Sequence, residues 1–279
     1  MTVPSPVMPR TQTLLRRSRG GLGLRSRRPR PHFLGIGTQK GGTTTLYQLL
    51  KPHPEVFLPD NKEVHYFTKH YAKGEDWYLE HFAAAAPGQL RGEITPYYLF
   101  HQAVPERIHA LRPNMRLIAL VRDPVERTLS QYFHSRRLGL EDLPLEQALA
   151  AEAERLAGSE ALIRQPGGTH SSHQEHSYLA RSRYDEQLQR YFHLFGRSNV
   201  LVLRSEDLFE QPQASLRALS AFLGIRPFAA GLAVPRANSG GGEAAAVEPG
   251  VRARLAQQLA PTYAWLEQEL GLSWPTKGC

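Results

Sequence analysis

The segment of this 279-residue chain best equipped for chemistry is Gly35-Ile36-Gly37-Thr38-Gln39-Lys40-Gly41-Gly42-Thr43-Thr44. The apolar run FLGIG leads into it and TTTLYQLLKPHP follows, giving the strand, loop and helix that a phosphate-holding loop needs. Gly41 and Gly42 let the main chain approach an anion closely. The amides of residues 41–45 open the helix, so free N–H groups and the positive end of the helix dipole face the ligand. Gly37 and Gly42 fit the two glycines of G-x-x-x-x-G-K-S/T, but Thr43 stands where that motif has its lysine. The lysine here is Lys40, inside the loop. It is placed to act at a 5′-phosphate and the bond just beyond it, not at β- and γ-phosphates beside magnesium.

A second anion site is readable further on. RLIALVR, residues 116–122, is a buried strand that runs into Asp123-Pro124, and Ser130 lies eight residues after Arg122. An arginine at a strand's carboxyl end and a hydroxyl on the next helix reach one ligand in the crevice where α/β sheets bind nucleotides. Pairing of Arg122 with Asp123 or Glu126 is the competing use of that side chain.

These residues need elements to hold them, and the pattern supplies them. FLGIG, RLIALVR and NVLVLRSEDL (residues 199–208) read as buried strands. The segments after the first two, and ASLRALSAFLGI ending at Gly224, read as helices. Pro124 at the first position of its helix suits that reading. Near-continuous Val, Ile and Leu strands alternating with amphipathic helices imply α/β architecture, a central parallel sheet with helices on both faces. Residues 141–176 read as a helix followed by a polar insertion. Charge concentrates at one end: eight of the 34 basic residues are arginines within the first 30 positions, where no acid occurs. What remains is 26 basic against 26 acidic residues, so the net charge of +8 belongs to an arm and not to a basic fold. Residues 1–31, rich in Arg, Gly, Ser and Pro, read as a disordered basic arm, and 32–279 as one domain. The lone cysteine, Cys279, excludes an internal disulfide and a Cys-based zinc site. No stretch reaches the ~20 apolar residues of a membrane span, and no apolar region follows Arg16-Arg17 as a secretory signal would require. The expected compartment is therefore the cytoplasm.

The chain resembles the sulfotransferases that use 3′-phosphoadenosine 5′-phosphosulfate (PAPS), in particular their carbohydrate branch with the heparan sulfate O- and N-sulfotransferases. GTQKGGTTTLYQLLKPHPEV resembles the family's 5′-phosphosulfate loop, LIALVRDPVERTLSQYFH its 3′-phosphate segment and KEVHYF its catalytic-glutamate segment. GEITPYYLF, SRYDEQLQRYF and VLVLRSEDLFEQP follow in family order. The resemblance implies a P-loop-like three-layer fold and PAPS as co-substrate, with Lys40, Gly41, Gly42, Thr43 and Thr44 at the 5′ end and Arg122 and Ser130 at the 3′-phosphate. It implies Tyr184 near the nucleotide and Arg236, Asn238, Ser239 and Gly240 in a loop over the 3′-phosphate and adenine. It makes Glu63 the candidate base, with aromatic neighbours that would raise its pKa by desolvation. Lys62 would act against that rise. His65 is the competing base, since imidazole titrates near neutrality. The match departs at Ile94, where heparan sulfate 3-O-type enzymes carry a lysine after the glutamate that corresponds to Glu93. Glu93 either meets the acceptor or orders its loop.

A sulfuryl group needs no magnesium to neutralise it, unlike a γ-phosphate, and no metal is expected. His170, His173 and His176 have spacing that could suggest one, but on a helix the third histidine turns about 240° from the first. The acceptor is expected to be a glycan or small molecule. The alternatives are a magnesium-dependent P-loop kinase of small molecules and an anion or nucleic-acid binder led by the arginine arm. The neutral body speaks against a nucleic-acid partner.

Overall fold

A computed structural model of the chain describes residues 29–236 and 242–275. The first half runs β1 (Phe33–Gly37), α1 (Thr43–Leu50), β2 (Val56–Phe57), α2 (Gly74–Glu80), β3 (Leu90–Ile94), α3 (Val104–Leu111), β4 (Arg116–Val121) and α4 (Pro124–Arg137). Then follow α5 (Leu145–Leu156), α6 (Ser159–Ile163), α7 (Ser171–Glu175), α8 (Tyr184–Phe195), β5 (Val200–Arg204), α9 (Ser205–Glu210), α10 (Pro212–Leu223), α11 (Pro249–Gln258) and α12 (Ala260–Leu270). The five strands form one parallel sheet in the order β2-β3-β1-β4-β5.

Side-chain alternation along the strands fills two layers. Leu34 and Ile36 of β1 and Leu117, Ala119 and Val121 of β4 face one side, packed with Tyr184, Leu188 and Tyr191 of α8 and Ile108 of α3. Phe33, Ile118 and Leu120 face the other, packed with Leu46 and Leu50 of α1 and Leu216 and Leu219 of α10. All these side chains are almost wholly buried, and each Leu, Ile, Val or Phe among them contributes about 1.5–3 kcal/mol by leaving water. The expectation of an α/β sheet covered on both faces is met.

The order of strands decides where a ligand can bind. After β1 the chain moves out to β2 and returns through β3, then crosses to β4 on the other side of β1. The connections reverse between β1 and β4, and the crevice beyond their carboxyl ends is the expected ligand site. The phosphate loop leaves β1 there and Arg122 leaves β4 there.

Two sequence expectations need correction. NVLVLRSEDL is not a strand throughout: β5 stops at Arg204, and Ser205–Glu210 is the helix α9. Ser205, Glu206 and Asp207 are small and acidic residues of the kind favoured in a helix's first turn. Second, β2 and β3 were not anticipated. β2 is only two residues long, and β3 reads LRGEI, with too few apolar residues to signal a strand. Of the expected arm, residues 1–28 lie outside the described residues. At its end Arg30 is held to the body: its Nε donates to Glu75 Oε1 (3.0 Å) and its Nη1 to the Leu111 carbonyl (3.0 Å).

Candidate active site

A cavity of about 640 Å³ lies in the crevice between β1 and β4, within the roughly 300–1,000 Å³ range of ligand sites. The phosphate loop forms one wall through Lys40, Gly42, Thr43 and Thr44. Gly42 is left-handed, at φ 93°, a conformation that glycine adopts without a Cβ penalty. The first helical hydrogen bond of α1 runs from the Leu46 amide to the Gly42 carbonyl (3.1 Å). The amides just before it therefore have no carbonyl one turn behind them.

Gly41 has a different role from the one expected. Its N–H is committed to the Thr38 carbonyl (3.0 Å), and it does not line the cavity. A Cβ there would lie 2.5 Å from the Leu120 carbonyl oxygen, so Gly41 lets the loop pack against β4. The amides available to an anion begin after it.

Arg122 and Ser130 line the same cavity. The Arg122 guanidinium is 3.9 Å from a Glu126 oxygen, and Glu126 is also bound by Arg252 at 2.5 Å. Asp123 caps α4 by accepting from the Glu126 amide (2.9 Å) and also accepts the Tyr263 hydroxyl (3.0 Å). Burial, with Arg137, Arg122 and Arg127 close by, pulls the Lys40 ammonium below its usual pKa. Burial, Lys40 and Arg137 do the same to His134, another lining residue. The wall interleaves the cations Lys40, Lys62, Arg122, Arg204 and Arg236 with the acids Glu63, Asp123, Glu126, Glu206 and Glu210. Lys40 and Arg122 are close enough to feel each other's charge, and that local pair is what suits a multiply charged anion.

Glu63 and Lys62 form the far wall. Lys62 Nζ is 2.7 Å from Glu63 Oε1, and His65 Nε2 is 3.4 Å from Glu63 Oε2. His65 is not part of the cavity wall. Its backbone is left-handed at φ 56°, its amide donates to Thr95 Oγ1 (3.4 Å), and its Nδ1 is 3.3 Å from Thr68 Oγ1. Among the described residues only Lys40 (φ 69°) and His65 are non-glycine residues with positive φ, and such strain gathers at working sites. The expected rise in the Glu63 pKa is not found. Burial does push it up, but His65 and Lys62 outweigh that and hold the carboxyl at about 2.

Glu93 orders this segment and does not face an acceptor. It is 1% exposed. It accepts from Thr95 Oγ1 (2.6 Å), Tyr98 Oη (2.6 Å) and Tyr78 Oη (3.3 Å), and Thr95 in turn receives the His65 amide. Burial lifts the Glu93 carboxyl to about 7 against the pull of those hydroxyls. Ile94 is fully buried in the opposite layer with Phe33 and does not line the cavity.

Tyr184 is also fully buried away from the cavity wall. Its hydroxyl donates to the Arg122 carbonyl (3.1 Å), so it fixes the main chain that carries Arg122. Arg236 lines the cavity over the Phe209 ring (5.3 Å to the centroid). The segment is anchored by Thr45 Oγ1 donating to the Pro235 carbonyl (2.9 Å). Asn238, Ser239 and Gly240 lie outside the described residues.

Sequence reasoning missed Arg204, Glu206, Phe209 and Trp274, which also line the cavity. Glu206 Oε1 accepts the Asp123 amide (3.1 Å), while its buried Oε2 and the Arg204 Nε have no partner. The end of β5 was the available signal for Arg204, Glu206 and Phe209, but reading the strand through to position 208 hid it. The three spaced histidines diverge: His170 caps α7, His173 bonds Tyr97, and His176 Nε2 meets the Leu140 carbonyl at 2.7 Å. Among the described residues no three His, Cys, Asp or Glu side chains converge as a metal site would require.

Comparison with known proteins agrees with this geometry. A family model described as "Sulfotransferase domain" matches residues 30–231, and the chain belongs to that family. It is 31% identical over 229 residues to heparan sulfate glucosamine 3-O-sulfotransferase 6 of Mus musculus, covering 80% of this chain and 61% of the relative. It is 29% identical over 275 residues to the membrane-associated sulfotransferase kil1 of Dictyostelium discoideum, covering 74% and 58%. The chain thus spans about three-fifths of the length of these curated relatives. Among solved structures, a sulfotransferase from Alicyclobacillus acidocaldarius superposes with a TM-score of 0.71 at 27% identity, covering 88% of this chain and 98% of that one. No described helix is long and apolar enough to cross a membrane.

Proposed function

We propose that this chain moves a sulfuryl group from PAPS to a hydroxyl or amine of an acceptor, a carbohydrate or glycosylated metabolite. The observation that carries the reading is the pairing, in one cavity, of the Lys40 loop and Arg122/Ser130 with the ionised carboxylate of Glu63. The α1 amides and Thr43 and Thr44 would hold the 5′-phosphate, while Arg122 and Ser130 would hold the 3′-phosphate. Lys40 would carry the negative charge that develops on the departing bridging oxygen. Glu63 would take the proton of the attacking acceptor, with His65 fixing its orientation from behind. Arg236 and the adjoining Asn238, Ser239 and Gly240 would cover the nucleotide.

The kinase alternative has no counterpart in the site. Thr43 occupies the Walker lysine position, and Asp123 is engaged in capping α4. For the acceptor, the named glycan of the murine relative supports a sugar. Residues 32–279 would act as one domain. The cytoplasm remains our proposed compartment, and fractionation tests it against the membrane association named for the Dictyostelium relative. The test of function is a labelled-donor screen across glycan, lipid, antibiotic and phenol acceptors, read by the product's gain of one SO₃. Labelling of an acceptor from PAPS supports the proposal. Transfer only from magnesium-ATP overturns it.

A further inference from the structure

The order of strands lays the cavity out from one side of the sheet to the other. Glu63 comes from the β2 and β3 side, the Lys40 loop from β1, Arg122 and Ser130 from β4, and Phe209 from α9 after β5. With the sulfuryl group directed at Glu63 and the two phosphates at the loop and at Arg122, as proposed above, the nucleobase is left with the β5 end. This step rests on that reading of the donor.

The β5 end is where the aromatic carbon of the cavity wall lies. Phe209 and Trp274 are the Phe, Tyr and Trp residues that line the cavity. Phe209 has neighbours on its ring already. The Arg236 guanidinium is 5.3 Å from its centroid, and a Cβ on Gly42 would lie 3.9 Å from it.

Trp274 is brought there by the segment that follows α12. The Gly271 amide bonds the Glu267 carbonyl (3.0 Å) and the Leu272 amide the Leu266 carbonyl (3.1 Å), with Gly271 left-handed at φ 64°. Those are the two bonds of a Schellman turn, which stops the helix and redirects the chain. Leu272 then packs on the core. Arg204, at the end of β5, fixes the next two residues. Its Nη1 donates to the Ser273 carbonyl (2.6 Å), and its guanidinium is 5.9 Å from the Trp274 ring. Tyr263, whose hydroxyl bonds Asp123, packs against the indole with centroids 6.1 Å apart. The indole Nε1 is buried while the side chain as a whole is only half-buried and lines the cavity.

An indole already held by its neighbours loses little freedom when a flat ligand packs on it, and a nucleobase is a flat ligand with an aromatic face for such a ring. We infer that Trp274 is a donor-binding residue: the segment after α12 presents it at the β5 end of the cavity to hold the nucleobase of the 3′,5′-bisphosphate nucleotide.

The test compares two ligands of the full chain by calorimetry and tryptophan fluorescence. One is adenosine 3′,5′-bisphosphate. The other is its base-free analogue, a tetrahydrofuran sugar bisphosphate with hydrogen in place of the base. Trp274→Ala should weaken the nucleotide roughly 10-fold and leave the analogue unchanged, while Trp274→Phe, which keeps a ring, should recover most of the nucleotide affinity. The nucleotide should also change the fluorescence of the unaltered chain, and Trp274→Phe should abolish that response, because the other two tryptophans, Trp77 and Trp265, do not line the cavity. The Phe variant carries the test through fluorescence if the Ala variant does not fold. Equal weakening of nucleotide and analogue would make the segment a structural support and overturn the inference. So would unchanged nucleotide affinity in Trp274→Ala, or a fluorescence response that survives Trp274→Phe. In those three cases donor binding itself still stands. Failure of the unaltered chain to bind the nucleotide would overturn the donor reading and this inference with it.

Discussion

His65 Nε2 stands 3.4 Å from Glu63 Oε2, and the histidine reaches that position through a left-handed backbone at φ 56°. Glu63 faces the cavity and His65 lies behind it, so the proposed mechanism gives proton transfer to the carboxylate and orientation to the imidazole. Glu63→Gln should lower turnover by roughly 10²–10⁴ while donor affinity stays within a few fold. His65→Asn should cost less. With the Glu63 carboxyl held at about 2, it is ionised throughout the neutral range. The acid limb of the pH–rate profile should therefore not follow a carboxylate between about pH 4 and 8. A reversed ranking of the two variants, with a profile that follows an imidazole, would make His65 the base and move the expected acceptor toward phenols and small alcohols.

Lys40 sits in the loop at φ 69° with its ammonium among Arg137, Arg122 and Arg127. Lys40→Ala should reduce turnover by roughly 10²–10³, the loss expected for one partner of transition-state charge. Binding of adenosine 3′,5′-bisphosphate should fall far less, because in the proposed site main-chain amides carry most of the 5′-phosphate contact. A Lys40→Ala enzyme of near-normal rate would remove the leaving-group role.

The second anion site can be tested without turnover. Adenosine 3′,5′-bisphosphate should raise the melting temperature well above the effect of 5′-AMP at equal concentration, since only the former carries a phosphate for each of the two proposed anion sites. Arg122→Ala should erase most of that difference. Equal stabilisation of the unaltered protein by both nucleotides would mean that Arg122 and Ser130 hold no 3′-phosphate.

Glu93 gives a stability prediction. Its folded pKa, about 7, is above the ordinary 4.5, so the folded state holds the proton more tightly. The resulting stabilisation is complete below the ordinary value and is lost as pH rises through about 7. The whole swing is about 3 kcal/mol at most. Denaturant unfolding should show the unaltered chain losing stability over that window relative to Glu93→Gln. Parallel pH dependences for the two proteins would count against a proton held on Glu93.

Much of this arrangement was legible because its signals are local. Glycines and a proline mark where β1 and β4 stop and their helices start, and Val, Ile and Leu runs mark buried strands. The phosphate loop and the Arg122–Ser130 pair therefore stood out before any fold was known. β3 stayed hidden because Glu93 and Arg91 make it look polar, and that carboxylate is tolerated only where Tyr78, Tyr98 and Thr95 converge on it. The low pKa of Glu63 depends on where His65 is turned, which spacing does not show. Trp274 reaches the cavity only because the chain after α12 folds back over Arg204, whose guanidinium is 5.9 Å from its ring. Tyr184 has the right position in sequence but supports the Arg122 main chain from beneath.

The most direct test of the central claim is the release of adenosine 3′,5′-bisphosphate from PAPS in the presence of a chelator, measured with the acceptor that the screen identifies. The account predicts release matched one for one by sulfated product, unchanged by the chelator and lost in the Glu63→Gln and Lys40→Ala variants. Activity that disappears with the chelator and returns with magnesium and ATP would contradict it.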